Sequence, residues 1–159
     1  MALKPVYHKS PLTELKALPL TGGRVRSGNT LLQTLYGLIS ADTMPEAALR
    51  LAAILEDRPA ESAAAAAVRR SLLRQREDGS LPGTPVEQLR VMRGAWVLYE
   101  ITAERELLQM MMLWAGSVNA NVAAWTADGG LRTAPADLLE LLLNLYGVTG
   151  RKALLTLCE

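Results

Sequence analysis

The chain reads as an all-α protein made of helical-hairpin repeats, and three observations predict this. Of its 159 residues 30 are Leu and 23 are Ala, both strong helix formers, against only 12 Val and Ile together. The sequence also repeats itself. Residues 98–108 share Leu-Tyr, Thr and Leu-Leu with residues 145–155 at an offset of 47, and Asp78-Gly79 and Pro85 recur as Asp128-Gly129 and Pro135 at an offset of 50. A fainter copy runs from Gly22-Gly23 to Leu35-Tyr36. A period near 50 residues belongs to hairpin, propeller and solenoid architectures, and leucines spaced by three and four select helices among them.

Residues 1–28 form an irregular N-terminal arm whose first 26 residues hold five basic residues and one acid, Glu14. That charge reads as solvated. Residues 29–159 form the repeat domain, with units of about 29–77, 78–127 and 128–159. In the first unit Pro45 opens a helix over 46–56, Asp57-Arg58-Pro59 interrupts it, and a second helix runs over 60–76. Its five alanines at 63–67 predict a close helix seam. In the second unit an Asp78-Gly79 turn leads to Pro85, whose fixed φ suits a first helical turn, and Glu87 supplies the negative charge that a helix start favours. An inner helix over 89–101 is apolar on more than one face and ends at Thr102-Ala103, where the chain turns back into a helix containing Met110, Met111 and Met112. The third unit repeats the scheme with Asp128, Pro135, Asp137, a helix over 138–148 and a Thr149-Gly150 turn. The long loops 21–28, 78–85 and 128–135 cluster on one rim, where a site is expected.

Composition narrows the chemistry. A net charge of +1 gives no general field for nucleic acid or an anionic membrane. One cysteine, Cys158, and one histidine, His8, leave no multi-Cys zinc site and little histidine chemistry, so neither a metal nor a cofactor is expected. Glu140 and Asn144 interrupt the richest leucine run before it reaches membrane-spanning length. The first 15 residues contain no apolar stretch of signal-peptide length, and the expectation is a soluble, cytoplasmic protein.

Gln75-Arg76-Glu77-Asp78-Gly79-Ser80-Leu81, followed by Leu98-Tyr99 and a Thr-containing tight turn, resembles the repeat of α/α-toroid proteins, a group of barrel glycosidases, polysaccharide-processing hydrolases and terpene cyclases. The stretch from Ala136-Asp137-Leu138 through Asn144-Leu145-Tyr146-Gly147-Val148-Thr149-Gly150 is similar to helices of β-L-arabinofuranosidase-type (α/α)6 glycosidases. The resemblance covers about residues 20–159 and implies a partial toroid of about two and a half hairpins where the full ring has six. The family's catalytic acid and zinc-associated cysteines fall outside the matched stretch, so the resemblance carries none of them here. Leu81 stands where the cyclase repeat has an aromatic residue, and no Asp-rich motif accompanies it.

Asp78 and Asp128 occupy equivalent rim loops, and a pair of carboxylates is what glycoside hydrolysis uses, although Asp-Gly is first a turn dipeptide. Asn29, Arg90, Arg93 and Asn144 lie in or beside inner helices, placed either to hydrogen-bond sugar hydroxyls or to pair with nearby acids. Trp125, three residues before Asp128, is the best candidate for stacking on a sugar ring, with core packing the first reading of its indole, and Trp96 belongs to the core of its helix. The implied function is a short carbohydrate-related toroid module, glycoside hydrolase-like but without a complete catalytic apparatus, taking an oligosaccharide. The alternative is a helical scaffold for protein binding or assembly. Leu154, Leu155 and Leu157 predict an apolar stripe on the final helix that pairs with a second copy or another protein.

Overall fold

The computed structural model describes residues 38–127 and 135–156, and every regular element among them is a helix. Helix α1 spans Pro45–Leu55, with Pro45 in its first turn, and stops at Glu56, which takes a left-handed φ of 55°. Asp57 then accepts a hydrogen bond from the Ala60 amide at 3.1 Å and caps α2, Arg58–Leu72. With only two residues between them, α1 and α2 pack against each other. The alanine run contributes one face, with Ala64 and Ala67 buried and Ala63 and Ala66 exposed.

Helix α2 ends at Leu72, four residues short of the expected 76, because the following residues find better partners in a turn. The Arg76 amide donates to the Ser80 carbonyl and the Gly79 amide to the Arg76 carbonyl, both at 2.9 Å. The Gln75 amide nitrogen donates to the Gly79 carbonyl at 2.8 Å and to the Met110 carbonyl of α4, Arg105–Ala120, at 2.9 Å. One side chain thus fastens the turn to a helix that lies 35 residues further along.

Helix α3, Pro85–Thr102, opens with a reciprocal cap in which Thr84 Oγ1 accepts from the Glu87 amide and Glu87 accepts from the Thr84 amide. Its apolar residues on several faces are explained by its neighbours: α3 packs on α1, α2, α4 (Arg105–Ala120) and α6 (Pro135–Thr149). Gly94 permits the closest approach, since an added Cβ would stand 2.9 Å from Pro45 Cβ and 3.0 Å from Val68 Cγ2. Glu46 and Arg50 of α1 meet Arg93 and Glu100 of α3 in that order, so these helices run the same way. Val68 of α2 faces Gly94, while Arg74 shares a cleft with Glu87 and Arg90, so the end of α2 turns back toward the start of α3.

The two tight turns expected at Thr102 and Thr149 use the same bonds. Thr102 Oγ1 donates to the Leu98 carbonyl at 2.9 Å and accepts from the Glu104 amide, and Thr149 Oγ1 donates to the Leu145 carbonyl at 2.7 Å and accepts from the Arg151 amide. Ala103 and Gly150 follow with φ of 55° and 67°. Short helices α5, Val122–Ala127, and α7, Ala153–Thr156, complete the described chain.

The core gathers Leu49, Met92, Leu98, Met111, Trp114, Leu142 and Leu145. Met110 and Met112 are half-buried against it, so the methionine run is part of the core. Leu154 is buried and Leu155 half-buried, while Leu157 lies outside the described residues. Apolar side chains are left open singly on several elements, Leu73 and Leu113 among them, and on α6 two of them, Leu139 and Leu143, are 41% and 46% exposed one turn apart. No described helix is long and apolar enough to cross a membrane.

Candidate functional site

The first turns of α1, α3 and α6 come together, each carrying an acid: Glu46, Glu87 and Asp137. Arg93, two helical turns into α3, reaches across two of them. Its Nε donates to Glu46 Oε2 at 2.6 Å and its Nη2 to Glu46 Oε1 at 3.2 Å, while Nη1 pairs with Asp137 and Nη2 lies 3.5 Å from Glu140 Oε2. Arg50 extends the network, 3.0 Å from Glu46 and 3.6 Å from Glu100. Burial alone would lower the Arg93 guanidinium, but the charges of Glu46 and Asp137 outweigh it and hold it above its ordinary value. Arg93 therefore ties three helices together.

The candidates Arg93 and Asn144 do share a pocket, with Glu46, Glu140 and Trp96 on its walls. Its volume is about 10 Å³, room for about one water molecule and not for a sugar ring. The Trp96 indole N–H is buried there without a hydrogen-bond partner among the described residues.

Asp78 sits apart, exposed, in the loop after α2. Its Oδ1 accepts from the Ser80 hydroxyl at 2.7 Å and the Ser80 amide at 2.9 Å, an Asx turn. Those bonds hold the Asp78 carboxyl below the usual carboxylate range. Glu87 is held down by the amide and hydroxyl of Thr84, and Glu104 by a bidentate pair with Arg69 at 2.6 and 2.7 Å. A glycosidase proton donor needs a carboxyl pushed up, and none of these three is. Trp125 is 5% exposed and meets Trp114 edge-on at 5.6 Å between ring centroids, a position that packing explains and that leaves little ring face for a sugar. Asn29 and Asp128 lie outside the described residues. Among the described residues no three His, Cys, Asp or Glu side chains come together to hold a metal.

Two open clefts flank the α1 start. One, of about 400 Å³, lies between the start of α1, the end of α2 and the 81–83 loop, with Ser71, Arg74, Glu87 and Arg90 on its walls. The other, of about 310 Å³, runs between α1 and α3 toward Asp137. They share Thr43, Pro45 and Arg90. Arg90 carries an inner-helix signal in the sequence, but Thr43, Ser71 and Arg74 carry none, because only the packing of α1 and α2 beside α3 brings them to the rim.

Replacing Arg93 by alanine leaves Glu46, Asp137 and Glu140 facing one another. The expected loss is about 1–2 kcal/mol at pH 7, discounted for the exposure of the two α6 acids. Without the guanidinium these carboxylates repel one another, whereas in the wild type the guanidinium attracts them, and salt screens both effects. Urea unfolding at pH 7 at low salt and at about 1 M salt checks this: the gap between wild type and Arg93→Ala narrows at the higher salt, and an equal gap at both would exclude the charge network as its cause.

No family model, curated protein or solved structure matches this chain.

Proposed function

We propose that the chain is a carbohydrate-related α/α-toroid module that binds sugar at the rim beside the start of α1 and that lacks a complete catalytic apparatus within the described residues. The observation that carries this reading is the pair of adjoining clefts of about 400 and 310 Å³, a size suited to one or two sugar rings. Their walls offer hydroxyl, guanidinium and carboxylate groups from Thr43, Ser71, Arg74, Arg90 and Glu87. The toroid part of the reading is supported by the matching Thr102 and Thr149 turns and by α1, α3 and α6 each starting at a proline with an acid in the first turn. The carboxyl of Asp78, engaged by Ser80 and held below the usual range, is poorly suited to donate a proton, which supports the view of an incomplete catalytic apparatus.

A thermal-shift screen against plant and microbial oligosaccharides tests the proposal. A bound sugar at a hundred times its Kd stabilises by about 2.7 kcal/mol, a rise of several degrees in Tm. No shift with any sugar overturns it.

The exposed Leu139 and Leu143, one helical turn apart on α6, favour a second reading, a scaffold that assembles with a second copy through this flank. Sedimentation of the same sample then gives a dimer that Leu139→Glu/Leu143→Glu dissociates. A monomer at micromolar concentration excludes this reading.

A further inference from the structure

We propose that the larger rim cleft takes an acidic sugar, a uronate-containing oligosaccharide, with Arg74 and Arg90 receiving its carboxylate. This rests on the sugar-binding reading above and narrows it.

The argument begins with the described arginines. Arg50, Arg58, Arg69, Arg70 and Arg93 each lie within ion-pair distance of a carboxylate. Arg74, Arg76, Arg90, Arg105 and Arg151 have no such partner among the described residues, and of these Arg74, just past α2, and Arg90, in the second turn of α3, converge on one cleft of about 400 Å³. The two acids on its walls are already engaged. Glu87 accepts from the amide and hydroxyl of Thr84 at 2.7 and 2.9 Å, and Asp42 lies 3.6 Å from Arg70. Arg90 lies near enough to Glu87 to help hold its carboxyl down, whereas no acid among the described residues stands within ion-pair distance of Arg74.

The helix that borders the cleft adds to the same field. Helix α1 begins there at Pro45 with no side-chain cap from Met44, and its first-turn acid, Glu46, is taken up by Arg50 and Arg93. Ser71 and Thr43 place hydroxyls on the same walls, and Leu81, Pro82 and Val91 supply apolar surface. A planar carboxylate matches the guanidinium fork, hydroxyls match the remaining ring oxygens, and the apolar patch suits the C–H face of a pyranose. A neutral sugar would leave both guanidinium groups as they are.

The test measures binding of trigalacturonate and of its neutral counterpart, galactotriose, by titration calorimetry at low salt. Trigalacturonate is expected to bind at least about tenfold more tightly, a preference that shrinks as salt rises toward about 0.15 M. Arg74→Gln/Arg90→Gln is expected to abolish the preference, while Arg105→Gln/Arg151→Gln, which removes two exposed charges elsewhere, leaves it in place. Arg74 and Arg90 are exposed, and an unchanged Tm confirms that their variant folds. Equal binding of both sugars overturns this inference and leaves the sugar-binding reading standing. Binding of neither overturns both. Loss of the preference in the Arg105/Arg151 variant to the same degree overturns the assignment to this cleft.

Discussion

Gly79→Ala is expected to cost more than about 3 kcal/mol, a large share of the stability of an ordinary domain. Two penalties add at this position. Gly79 has a φ of 87°, where any Cβ is strained by about 1–2 kcal/mol. The added Cβ would also stand 2.2 Å from the carbonyl oxygen of Leu113 and 2.5 Å from its carbonyl carbon, and these atoms belong to the backbone of α4 and cannot rotate away. Either α4 or the 75–80 turn must move, and movement breaks the Gln75 bonds to Gly79 and Met110. Gly83→Ala is the informative contrast. Its φ of 101° is equally unfavourable, but the new Cβ meets only the carboxylate end of Glu87 at 2.7 Å, a flexible group that can shift. A loss of about 1–2 kcal/mol is expected there. Urea unfolding of both variants checks the pair, and a Gly79→Ala midpoint as high as that of Gly83→Ala would show that the turn does not sit against α4.

Trp114→Ala is expected to cost about 3–5 kcal/mol, the range for a large aromatic removed from a closed core. Its ring is fully buried, and its loss also frees one edge of Trp125. Trp114→Phe should cost much less, about 1–2 kcal/mol. The reason is specific: the Trp114 indole N–H has no hydrogen-bond partner among the described residues, so phenylalanine forfeits volume but no polar contact. Denaturant titration of both variants separates the two effects. A phenylalanine variant as unstable as the alanine variant would mean that the N–H is bonded after all.

The helix starts and tight turns were legible because they rest on local chemistry. Pro45, Pro85 and Pro135 each stand in a first helical turn, and Glu87 serves the helix start that its position predicts. Asp78 serves the turn that its Asp-Gly dipeptide predicts. Thr102 and Thr149 end their helices with identical bonds, since a threonine hydroxyl four residues past a carbonyl needs no distant help. What failed was whatever depended on a distant neighbour. The helix expected over 60–76 stops at Leu72 because Gln75 finds a carbonyl in α4. For Trp125, open in sequence to a core or a rim role with the core preferred, the neighbour that takes it in is Trp114, a partner 11 residues earlier in the chain. Leu154 is buried where an open stripe was expected.

The candidate site divides in the same way. Arg90, Arg93 and Asn144 could be named from their places in apolar helices, but whether each would meet an acid or open space could not, since that depends on which helices lie side by side. Arg93 meets Glu46 and Asp137, and Arg90 meets the clefts. By itself the sequence determined the helical class, the starts and the turns, because backbone propensity, capping and left-handed stops act within a few residues. Only the tertiary structure decided that α2 returns Arg74 to Arg90, that Arg93 is consumed by three acids, and that α6 keeps Leu139 and Leu143 uncovered, because these outcomes are set by contacts between residues far apart in the chain.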